Sequence, residues 1–85
     1  MEKEKTHQLI LQNDNENNYL YVMANLITVC DHARDQAEQC AIITHNVGQC
    51  QIKIGNITDM IEMMNKLQDL GLKVKLEEYE SNLHK

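Results

Sequence analysis

The stretch THQLILQ, residues 6–12, places Leu9 and Leu11 on one face of an extended chain and Ile10 on the other, which predicts a strand. Two apolar faces call for helices on one side and at least partial cover on the other. From about Asn18 to Cys30 the period lengthens, and Tyr19, Val22, Met23, Leu26, Ile27 and Cys30 fall on one helical stripe. Asp31 is placed to cap a second helix running to about Asn46. Its inner face would be Ala33, Ala37, Cys40, Ala41 and Thr44, side chains small enough to admit a close neighbour or leave a cavity. Gly48 lies where a left-handed residue ends a helix. CQIKI, residues 50–54, alternates as a half-buried strand with Cys50, Ile52 and Ile54 inward. Asn56, with Asp59 three residues on, resembles a capping box with a shorter acid. It opens a third helix to about Leu70, with Ile57, Met60, Ile61, Met64 and Leu67 as its stripe and Gly71 as its stop. LKVKLEEY, residues 72–79, alternates again, with Leu72, Val74 and Leu76 inward.

The expected order is therefore β-α-α-β-α-β, an α+β domain. Half-polar strands with one clean inward face predict a three-stranded, mostly antiparallel sheet with three helices packed on one face. One core domain should span residues 6–79, between a short flexible N-terminus at 1–5 and a frayed tail at 80–85.

Composition narrows the core and the partners. Of 85 residues 42% are hydrophobic, and with three Tyr and neither Phe nor Trp the interior must be built from Leu, Ile, Val and Met. A net charge of −5 argues against binding a phosphate backbone, so no nucleic-acid partner is expected. No apolar run approaches the roughly 20 residues of a membrane span, and the charged start MEKEKTHQ is unlike a signal peptide. A soluble cytoplasmic protein without a membrane partner is the expectation. Cysteines at 30, 40 and 50 fit neither a disulfide framework nor a close-paired zinc site. Cys40, His45 and Cys50 could gather around a metal, but small buried thiols are the favoured reading, because free Cys is commonly a core residue, and no metal or cofactor is expected.

Two polar features stand apart from ordinary surface: Asn13-Asp14 at the exit of the first strand, and His45 in the last turn of the second helix. If the first two helices form a hairpin on the sheet, His45 returns close to the start of the first. Amide oxygen, carboxylate and neutral imidazole nitrogen are all acceptors. Three acceptors facing one point suit a primary ammonium, including the free N-terminus of a polypeptide, which is mostly charged at neutral pH. The plainer readings are that Asn and Asp before a helix cap it, and that His45 complements the helix dipole. Asn15, Asn17 and Asn18 belong to the turn and the cap.

LILQND followed by a helix, then AIITHNVGQ, resembles the ClpS family, adaptors of the ATP-dependent Clp protease, along roughly residues 6–79. The matching positions are Asn13, Asp14, His45 and Gly48. The resemblance implies an adaptor that binds N-degrons, substrates with a bulky hydrophobic first residue, and hands them to a Clp-type unfoldase, ClpA or ClpC. It implies that Asn13 and His45 bond the substrate α-amino group, that Asp14 acts there through water, and that Leu72 lines the side-chain pocket. Ala41 stands where the family carries a bulky Met, so the pocket should be wider, or refilled by Met23 or Met60. Asn15 and Asn17 replace further acid and hydroxyl positions of the family, and about five residues stand where the family has a long N-terminal extension. The alternative is a helix-docking interaction module of similar fold without N-degron recognition. An enzyme using His45 with Cys40 or Asp14 lacks an oxyanion-type loop, and Cys40 and His45 are five apart rather than four.

Overall fold

The computed structural model describes residues 6–14 and 16–79; Asn15, the N-terminal 1–5 and the tail 80–85, expected to be turn, flexible and frayed, lie outside the described residues. The elements are β1 (Thr6–Gln12), α1 (Tyr19–Cys30), α2 (Arg34–Val47), β2 (Gln49–Asn56), α3 (Ile57–Asp69) and β3 (Val74–Tyr79). β1 is central, antiparallel to both neighbours, in the order β2-β1-β3. Leu9 and Leu11 face the helices and meet Leu76 and Val74 across the β1–β3 pair. The core joins them to Met23, Leu26 and Cys30 of α1, Ala37, Cys40 and Ala41 of α2, and Met60 and Leu67 of α3. Ile10 points to the opposite face yet is only 6% exposed. Ranged around it, Gln51 donates to Gln8 at 2.6 Å and Lys75 pairs with Glu77 at 2.9 Å. That polar layer is the partial cover that the apolar residue on the outer face of β1 required.

β2 departs from simple alternation. Leu9 pairs with Lys53 but Ile10 with Gln51, so Ile52 is an extra residue, a β-bulge. The bulge flips the face of everything beyond it. Cys50 and Ile52 still turn inward, but Ile54, expected inward, is 42% exposed, and Lys53 takes the helix side. There its ammonium donates to the Cys30 carbonyl at 2.9 Å, a favourable end for α1. The bulge leaves the Ile52 carbonyl off the ladder, and the buried His32 supplies the partner at 2.8 Å. A carbonyl only accepts, so His32 Nε2 carries the hydrogen.

Three further expectations are corrected. Asp31 does not cap α2: it sits in the left-handed region (φ 60°) and closes α1, while α2 starts from Ala33 with no side-chain cap. The amides of Asp31 and His32 both reach the Leu26 carbonyl, closing α1 with Asp31 in the left-handed conformation common at helix ends. Ala33 is correspondingly exposed rather than part of the inner face. β3 begins at Val74, because Leu72 N–H is taken by the Leu67 carbonyl in the turn; Leu72 is nevertheless buried. α3 is rotated so that Met60, Met63, Met64 and Leu67 meet the core, while Ile57 and Ile61 are exposed. Among the described residues no helix is long and apolar enough to cross a membrane.

Candidate functional site

The chain leaves β1 through two backbone bonds that fix the position of the polar loop. Gln12 N–H donates to the Lys73 carbonyl at 2.8 Å and Asn13 N–H to the Gly48 carbonyl at 3.0 Å. Gly48, at φ 109°, ends α2 with its own N–H on Thr44; a side chain there would be strained. The end of α2 is thus tied to the residue that starts the loop, although the two are distant in sequence.

Asp14 organises the turn. One carboxylate oxygen accepts from Glu16 N–H at 2.8 Å and Asn17 N–H at 3.0 Å, and the other accepts from the Asn17 amide at 3.2 Å. Partial burial by itself pushes the Asp14 carboxyl up. The Asn17 and Glu16 amides, the Asn17 side chain and the Lys73 charge outweigh it, so the group titrates below its ordinary range. Asn17 also donates to the Gly71 carbonyl at 2.8 Å, fastening the loop to the turn between α3 and β3. Asn18 does the capping: its side-chain oxygen accepts from Tyr21 N–H at 2.9 Å. Tyr21 hydroxyl adds a second tie to that turn, donating to the Leu70 carbonyl at 2.6 Å.

These ties surround an open cavity of about 80 Å³. Asn13, Asp14 and His45 all line it, as do Ala41 and Leu72. Leu11 and Val22 add apolar surface, and Gln12, Asn17, Tyr19 and Thr44 complete the lining. The Thr44 hydroxyl is spent on the Cys40 carbonyl at 2.8 Å. Among the described residues neither the Asn13 amide nor the His45 ring has a side-chain hydrogen bond. The cavity therefore presents an apolar interior and uncommitted polar groups in the same space.

Met23, expected on the wall, is not there. It is 8% exposed within the main core, and Met60 lies in the core as well. Met23 is one residue from Val22, about 100° around the helix, so when Val22 faces the cavity Met23 turns to the sheet. Among the described residues no Met lines the cavity beside Ala41. Tyr19 and Val22, expected on the core stripe, also line the cavity, Val22 while still packed against the core; the sequence signal for this is their place on the loop-proximal edge of that stripe. Cys40 sulfur contacts Cys50 and the Gln51 carbonyl rather than the cavity. Among the described residues no group of three His, Cys, Asp or Glu side chains is placed to hold a metal ion.

The model of the family described as ATP-dependent Clp protease adaptor protein ClpS matches residues 2–75. The chain belongs to the ClpS family. Among solved structures it is similar to Agrobacterium tumefaciens ClpS2 bound to L-phenylalaninamide, with a TM-score of 0.77 and 18% identity. The likeness covers 91% of this chain and 100% of that one; at such identity it is the fold that is shared. No curated protein sequence matches the chain. ClpS membership makes it a Clp protease adaptor, from a family of non-catalytic adaptors, with the protease as its partner. The β-α-α-β-α-β order and the three-stranded antiparallel sheet are those of the ClpS fold.

Proposed function

We propose that the chain recognises N-degrons, binding the free α-amino group of a substrate whose first residue is bulky and hydrophobic, and delivers it to a Clp unfoldase, ClpA or ClpC. The observation that carries this reading is the shared lining of one cavity by Asn13, Asp14, His45, Ala41 and Leu72, residues from three separate segments. In it, Asn13 Oδ1 and a neutral His45 nitrogen accept from the substrate ammonium. Asp14, whose oxygens already serve the turn, contributes negative charge and a water-mediated contact. The first side chain enters between Leu11, Val22, Ala41 and Leu72. The L-phenylalaninamide bound to the Agrobacterium protein has the chemistry this site would take, a free amine beside a large apolar side chain.

Burying a large apolar side chain contributes about 1.5–3 kcal/mol. Each charge-assisted hydrogen bond adds about 1.5–3 kcal/mol before desolvation. Acetylation removes the cation and adds bulk, so it should cost at least ~100-fold in affinity, the equivalent of two such bonds partly offset. Fluorescence anisotropy with peptides starting in Phe, Leu, Tyr or Trp, free and N-acetylated, tests this. Equal binding of the two forms would sink the reading. Delivery is tested separately, as ATP-dependent degradation of a Phe-initiated reporter by ClpAP or ClpCP with and without the chain. If degradation is no faster with the chain present, delivery is refuted and recognition alone stands.

A further inference from the structure

Two of the three cysteines come together from different elements, and neither is part of the N-terminus-binding reading. Cys40 is on the face of α2 turned to the sheet, and Cys50 is the β2 residue opposite Leu11, on the helix side. Their sulfurs are 3.2 Å apart. Among the described residues the two thiols have no other hydrogen-bond contacts than long ones to the Gln51 carbonyl, at 3.8 and 3.4 Å. Joining the sulfurs needs a closure of about 1 Å, within reach of small side-chain rotations. Cys30, the third cysteine, is fully buried.

We propose that Cys40 and Cys50 are a thiol-modification site, entered at Cys50 by a low-molecular-weight disulfide and resolved to a reversible intramolecular disulfide. The two thiols divide the work by exposure. Cys50 is half-buried, whereas Cys40 is 8% exposed and burial pushes its thiol up to about 12. Cys50 therefore loses its proton to water and attacks one sulfur of the small disulfide, forming a mixed disulfide and expelling one thiolate. Cys40 then gives up its proton, attacks the Cys50 sulfur and expels the second thiolate. Two protein thiols are oxidised and one small disulfide is reduced to two thiols. Part of the upward shift at Cys40 comes from the Cys50 thiol itself, and the mixed disulfide removes that part.

The bond would close residues 40–50 into a loop that contains Thr44, His45 and Gly48, and would hold the end of α2 to β2 behind the cavity. The inference rests on the fold and the sulfur geometry, not on the reading of the cavity, so either can fail without the other.

The test is incubation of the full chain with oxidised glutathione, alkylation of remaining thiols, and peptide mapping by mass spectrometry. The expected product has lost two hydrogens, carries a Cys40–Cys50 link and retains a free Cys30, and reduced glutathione reverses it. Cys40→Ser should stop at a glutathione adduct on Cys50, and Cys50→Ser should give neither adduct nor link. In the linked form, amides 44–48 should exchange hydrogen at least about threefold more slowly than in the reduced form. A Cys30–Cys40 link, a lasting adduct on wild-type Cys50, no reaction, or unchanged exchange in the linked form would each overturn the proposal.

Discussion

Two helices of this protein start from an asparagine cap, and the two entrances have opposite outcomes. At α3, Asn56 accepts from Asp59 N–H at 2.8 Å and donates its amide to the Asp59 carboxylate at 3.0 Å. The pair bonds to itself, with the Asp59 carboxylate on the Asn56 side-chain amide where a capping box would use the backbone N–H. A groove passes this entrance between Val29, Lys53, Met60 and Met63, but its Asn and Asp already hold each other. At α1, Asn18 alone makes the cap, Asp14 holds the turn, Asn17 ties the loop to Gly71, and Asn13 is left over beside His45. The residue types are the same in both places. What separates a cap from a candidate binding site is a surplus acceptor and what the tertiary fold sets opposite to it.

The comparison can be broken most forcefully by paired substitutions. Asn13→Ala/His45→Ala should lower affinity for a Phe-initiated peptide by at least ~100-fold while unfolding free energy changes by less than about 1 kcal/mol. Asn56→Ala/Asp59→Ala should do the reverse, losing about 1–2 kcal/mol in urea unfolding with affinity held within about twofold. If the first pair proves as destabilising as the second, and binding survives, both entrances are only caps and the interaction-module alternative gains. A smaller effect sharpens the boundary between the two roles. Asn17→Ala removes the bond to Gly71 and one support of Asp14, so it should cost about 1–2 kcal/mol in stability and weaken the peptide only a few-fold.

The smallest effect is on pH dependence. The Asp14 carboxyl is depressed in the folded state, so its contribution to stability is fully present above its unfolded value, near 3.9, and is lost as pH falls through the lower folded value. Asp14→Asn should therefore show a shallower loss of stability below about pH 4 than the parent, measured by thermal unfolding across the acid range. Asn can still accept the turn bonds, so the two curves should differ little near neutral pH. A variant with an unaltered acid limb would show that the depression of Asp14 is not coupled to folding.

Much of this was legible in the chain. Periodicity placed each element to within a few residues, because alternating and 3.6-residue apolar patterns are local consequences of which face must be buried. The Asn56–Asp59 cap was legible for the same reason, since both partners lie within one turn. The bulge at Ile52 was not. CQIKI alternates cleanly, and only pairing against β1, with His32 and Lys53 taking up the displaced groups, flips Ile54 outward. The end of α1 was misread for a related reason: Asp31 suits an N-cap and a left-handed C-terminal position alike, and the stop of one helix settled which.

For the candidate site, the sequence by itself determined the chemical types and their placement along the chain: a polar turn after a strand, small residues on a helix, and a histidine near that helix's end. It also carried the family pattern of Asn13, Asp14, His45 and Gly48. The tertiary structure decided which acceptors are spent. Asp14 and Asn17 hold the loop to itself and to Gly71, Asn13 and His45 line the cavity, and Met23 turns to the core while Val22 faces the opening. Those outcomes depend on bonds between residues distant in sequence, from Asn13 to Gly48 and from Asn17 to Gly71. A local pattern can name a donor or acceptor, but only the closed fold supplies its partner or withholds one.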